Sequence, residues 1–90
     1  MGRILCKGIE TPLPITTGAA TSFSEATAVR LVNLSTTADH LVTVVETQSG
    51  PVIGSFTKLR GTSEVLEKNP THCVFAADAA VQGAKVGFTG

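Results

Sequence analysis

The feature that most constrains this chain is a recurring pattern. Short runs rich in Val and Thr alternate with clusters of turn residues every ten to twelve positions. Residues 28–34 (AVRLVNL), 40–46 (HLVTVVE), 52–58 (VIGSFTK), 63–68 (SEVLEK), 72–76 (HCVFA) and 84–89 (AKVGFT) are such runs. Branched side chains at alternating positions suit a pleated, half-buried surface. Evenly spaced short strands with turn residues between them predict a sandwich or barrel. Residues 3–9 (RILCKGI) read as a further strand. The expected fold is therefore all-β: a small β-sandwich or barrel of about six to eight short, mostly antiparallel strands.

The turns carry their own signals. Ser35-Thr36-Thr37-Ala38-Asp39 is a polar five-residue connection, which predicts a hairpin between 28–34 and 40–46. Gln48-Ser49-Gly50-Pro51 turns the chain again, so 52–58 continues as the third strand of a meander. Gly54 inside that strand suggests a bulge. Residues 75–82 (FAADAAVQ) are the one competing helical stretch, since Ala favours helix, but eight residues make barely two turns. Alternation selects Leu31, Leu41, Val44, Phe56, Val65, Leu66, Val74, Phe75, Val86 and Phe88 as core candidates.

The first 27 residues differ in character. Pro12 and Pro14 deny the backbone two ladder donors, and ITTGAATSFSEAT (15–27) holds a single aromatic, Phe23. The chain thus divides into an extended N-terminal arm and loop, 1–27, and a β-sandwich core, 28–90, of a single domain. Phe23 reads as an anchor pinned into the core or into a partner.

Composition excludes several functions. Seven basic residues balance seven acidic ones, and the bases are scattered among acids without stacking aromatics, so neither a nucleic-acid partner nor an anionic membrane is expected. No apolar run approaches a membrane span, and the apolar part of the first seven residues is too short for a signal peptide. Cys6 and Cys73 read as two free thiols or as one disulfide closing most of the chain.

Catalytic signatures are equally sparse. Asp39 and His40 are neighbours on a strand start, so they point to opposite faces. Ser22 and Ser24 lack a G-x-S-x-G elbow, and no glycine pattern forms a phosphate loop. No C-x-x-C occurs, and only His40 and His72 could add metal ligands. No enzyme activity, cofactor or metal is expected. A glycan- or host-binding sandwich would want aromatic platforms, and the chain has no Trp or Tyr.

Several of these runs also resemble a known group. Val29-Arg30-Leu31-Val32-Asn33, His40-Leu41-Val42-Thr43-Val44, Ile53-Gly54-Ser55-Phe56-Thr57, Glu67-Lys68-Asn69-Pro70-Thr71 and Val74-Phe75-Ala76-Ala77 look like small β-proteins of marine tailed bacteriophages, cyanophages especially. The likeness spans about residues 28–88. It implies a virion structural protein, foremost a capsid decoration (cement) protein that binds and stabilises the head. A tail, connector or baseplate component is the alternative within that class. It further implies a virion location after assembly in the bacterial cytoplasm, the major capsid protein or other virion proteins as partners, and a symmetric trimer or dimer. In that setting the N-terminal segment is the expected clamp, with Arg3, Leu5, Pro12, Leu13, Pro14, Ile15 and Phe23 as contact residues.

Overall fold

The computed structural model describes residues 3–89, and the side chains of residues 5–87 within them. Eight strands form among the described residues: β1 (Arg3–Cys6), β2 (Thr11–Pro12), β3 (Ala28–Asn33), β4 (His40–Val45), β5 (Val52–Lys58), β6 (Ser63–Glu67), β7 (Cys73–Ala76) and β8 (Val81–Thr89). One 3₁₀ turn covers Thr17–Ala19. The first sheet runs β1-β8-β3-β6, with β2 also paired to β8, and the second runs β5-β4-β7. Every pairing is antiparallel. The all-β reading, with two sheets of mostly short strands, holds.

The connections differ from the expected meander. β3 pairs with β6 and β8, whereas β4 pairs with β5 and β7, so the 28–34/40–46 hairpin does not form. A five-residue polar turn can close a hairpin or arch between two sheets. Here the buried Asn33 side chain holds the turn in the arched form: its Nδ2 donates to Ala38 O at 3.2 Å, and its Oδ1 accepts from Ser35 N at 3.0 Å. Only β4–β5 keeps the hairpin, with a register shift at Val44/Val45 that leaves Ile53, beside Gly54, as the extra residue. The alanine-rich stretch 75–82 is not helical. Its first residues finish β7, Asp78 Oδ1 accepts the Ala80 N–H at 2.8 Å to turn the chain, and β8 begins at Val81. Burial of Val74, Ala76 and Val81 outweighs the weak helical preference of alanine.

The core lies between the sheets. Val29 and Leu31 of β3 meet Val42 and Val44 of β4, Val74 and Ala76 of β7 and Val81 of β8. Two expected core residues are instead exposed, Leu41 and Val65. Alternation explains both. Val42 and Val44 face inward, which turns Leu41 out; Val65 lies opposite Arg30 on the outer face, while its neighbour Leu66 lies opposite the buried Val29 and packs on the core. Phe56 also packs there, and Phe75 joins a smaller cluster with Ala20, Val45 and Cys73. The Phe88 side chain lies outside the described residues.

The N-terminal segment belongs to this core. Residues 3–12 run beside β8. The chain then crosses to the second sheet: Leu13 N donates to Val81 O at 2.9 Å, Pro14 O accepts from Ala76 N at 2.9 Å, and Thr21 and Val74 exchange two backbone bonds at 3.1 and 2.8 Å. It is extended, and it closes the β7–β8 side of the sandwich. On the opposite side Lys58, fully buried, reaches from β5 to Thr62 Oγ1 and to Glu64 Oε1 of β6 at 3.3 Å. Each open side of the sandwich is thus bridged by a different device.

Candidate functional site

One end of the sandwich is organised by Asn33. Its amide also donates to Lys58 O at 2.9 Å, and its backbone bonds Thr62 O and Gly61 N. One side chain therefore fixes the connections 34–39 and 59–62 together. A groove of about 400 Å³ lies between them, bordered by Leu34, Ser35, Thr36 and Arg60. A neighbouring hollow of about 270 Å³ shares Arg60 with Asp39 and Thr62. Asp39 Oδ1 accepts the Arg60 backbone N–H at 2.9 Å and stands 3.8 Å from its guanidinium. Asp39 is thus turned to Arg60, not to His40. The Asn33 amide spends both of its polar atoms on backbone groups, so the polar groups the groove presents come from the rest of its lining, among them Thr36 and the Arg60 guanidinium.

The opposite construction is a left-handed turn. Phe23, Ser24 and Glu25 have φ of 53°, 55° and 57°, and Ala26 N closes the turn on Ser22 O at 3.1 Å. Each such residue costs about 1–2 kcal/mol relative to right-handed backbone. The turn is held from three directions. The Phe23 ring packs over Gly83 and Leu31. Lys85 Nζ donates to Ser24 O at 3.0 Å. Lys68 Nζ, on a largely buried side chain, donates to Ser22 O at 3.0 Å and Ala26 O at 2.7 Å, with Asn69 O at 3.3 Å. Ser22 Oγ accepts the Glu25 N–H at 3.2 Å, so its hydroxyl caps the turn.

Burial lowers the Lys68 pKa from its usual 10.5; Cys73 works against the shift and Lys85 adds to it. The folded chain therefore releases this proton before the unfolded chain does. The cost of burying the charge is present in full below the folded pKa and fades as pH rises from there toward 10.5. Lys68→Met leaves the Ala26 carbonyl without its donor and takes one of two donors from the Ser22 carbonyl, and is expected to cost about 1–3 kcal/mol at neutral pH. Chemical denaturation across the alkaline range should show the wild type gaining stability relative to this variant. A relative loss would contradict the assigned direction.

The expected contact residues have separated. Leu13, 2% exposed, is a core residue, and Phe23 is pinned into the core by the left-handed turn. Neither is free for a partner, because both side chains pack on the core between the sheets. Leu5, Pro12 and Ile15 lie on the surface, and Pro14 is half-buried. Ile9, which sequence reasoning left out, is 86% exposed between β1 and β2. The Arg3 side chain lies outside the described residues.

Cys6 is exposed and Cys73 buried, and both are free thiols. Among the described residues no three His, Cys, Asp or Glu side chains gather as a metal site requires, and no helix is long and apolar enough to cross a membrane. Asn69 Nδ2 and His72 Nε2 are 3.4 Å apart, a contact within one turn. The chain matches no protein-family model, no curated protein and no solved structure.

Proposed function

We propose that this chain is a virion structural protein of the decoration type, which docks on the outer face of a phage head through its N-terminal segment. The observation that carries this reading is the way that segment is held. Residues 3–21 are laid against both sheets by backbone bonds, yet Leu5, Ile9 and Ile15 project from the segment into solvent. Apolar side chains on a pre-ordered backbone meet a partner with little further loss of conformational freedom. The resemblance of residues 28–88 to small phage β-proteins points the same way. Phe23, Phe56 and Phe75 are engaged with the sandwich interior or its smaller cluster, so none of the three stands out as a sugar-stacking platform.

The test is abundance. Particles purified from a phage whose genome encodes the chain should carry it in fixed, high ratio to the major shell protein. Ile9→Asp should strip it from the particles while leaving the free domain folded. Full retention of the Ile9→Asp chain would remove the N-terminal segment from the interface.

A further inference from the structure

We infer that β5 is a self-association edge, on which a second copy of this chain pairs antiparallel to form a closed two-fold dimer. Leu41 O accepts the Ala77 N–H at 2.9 Å, so the peptide groups of Leu41 face β7. Peptide groups alternate along a strand, so those of Val42 face β5, where Phe56 lies opposite. Phe56 therefore turns its N–H and C=O toward β4, and Ser55 and Thr57 turn theirs away from the sheet. Because β5 ends the second sheet, these groups form a ladder with no partner among the described residues.

Edges of this kind are normally guarded by charge, proline or a covering segment. The other edges here are. β6 carries Glu64 and Glu67, the β1–β2 edge carries Lys7, Glu10 and Pro12, and β7 is covered by Pro14 and Thr21. Between Val52 and Thr57, β5 has no charge and no proline, and its one bulge, at Ile53, lies ahead of the Ser55–Thr57 stretch. Its one lysine, Lys58, is buried across the sandwich. Val52 and Ile53 are 64% and 49% exposed, and Leu59 just beyond the strand is 54% exposed.

Self-complementarity decides the occupant. Two β5 strands meet with no exposed charges opposed, whereas two β6 strands would bring Glu64 and Glu67 together. The register that pairs Ser55 with Thr57 of the second copy satisfies the outward groups of both. It also sets Ile53 beside Leu59 of that copy. A two-fold interface of this type closes at two chains, since each β5 edge is consumed. The inference does not rest on the virion role: the edge would pair in the isolated protein.

Sedimentation of the full chain under reducing conditions, which exclude a bridge through the exposed Cys6, tests it. The mass should rise with concentration to twice the 9.2 kDa of one chain and no further. Amide exchange should slow at Ser55 and Thr57 over the same range. Ile53→Lys guards the edge, and Ser55→Pro removes an outward donor that β4 does not use. Both should stay monomeric, with a melting temperature that does not vary with concentration and equals that of the dilute wild type. A single-chain mass up to ~1 mM, the range of interactions of about 4 kcal/mol, would overturn the inference. So would larger open-ended species, or a dimer that survives both substitutions.

Discussion

Replacing Asn33 with alanine is expected to destabilise the fold by roughly 3–5 kcal/mol, a large share of the stability of a domain this small. The side chain is fully buried and serves Ala38 O, Lys58 O and Ser35 N together. Truncation takes the Asn33 partner from two carbonyls and one N–H, and a group left unmet where water cannot reach costs about 1–3 kcal/mol. The alanine also opens space at the point where the chain passes from one sheet to the other. Asn33→Asp separates packing from hydrogen bonding, since it keeps the shape but can no longer donate to either carbonyl when ionised. Urea denaturation should place Asn33→Asp at least as low in stability as Asn33→Ala. If both variants fall within about 1 kcal/mol of wild type, the ordinary scale of a surface change, the arch between the sheets is held by something else.

The second large effect is expected at Gly83. A Cβ there would sit 2.7 Å from Phe23 Cζ and 3.0 Å from Leu31 Cδ2, closer than carbon atoms pack. Leu31 is fully buried and has little room to yield. Gly83→Ala should therefore cost about 1–3 kcal/mol by overpacking, even though alanine ordinarily improves on glycine in a strand. The clash identifies Phe23 as the group that must move, and Phe23 is fastened by the left-handed turn and its two lysines. Combining Gly83→Ala with Phe23→Leu should recover part of the loss, so that the double variant is more stable than the sum of the singles implies. Strict additivity would show that the ring does not occupy the space above Gly83.

Both effects show where sequence reading succeeds and where it stops. The strands were legible because Val, Leu and Thr at alternating positions have few other uses, and 52–58 matches β5 in both bounds. The partition of strands between sheets was not legible. A polar connection such as 35–39 serves a hairpin or an arch equally well, and only the burial of Asn33 decides between them. Adjacent apolar pairs hid the facing of strands. In His40-Leu41-Val42 either Leu41 or Val42 could point inward, and cross-strand neighbours settle it for Val42.

The candidate surface was legible in part. Pro12 and Pro14 drew attention to the N-terminal segment, and Leu5, Pro12 and Ile15 do lie on its outside. Leu13 did not, because its pocket is made by Val81 and other strands distant in sequence. Lys58 and Lys68 gave no warning. A lysine at the end of a polar-looking strand normally stays in water, and their acceptors come from β6 and from residues 22–26. The left-handed turn was silent too, since Phe23, Ser24 and Glu25 are not residues that favour such backbone. The bare β5 edge did leave a trace: no charge stands between Glu46 and Lys58.

The most direct test of the account is a count of this chain, by absolute mass-spectrometric quantification, in purified particles of the phage that would encode it. A decoration role predicts a copy number that tracks the major shell protein at a constant ratio across preparations and drops selectively with Ile9→Asp. Absence from washed particles, or only the few copies that a tail or connector position holds, would contradict it.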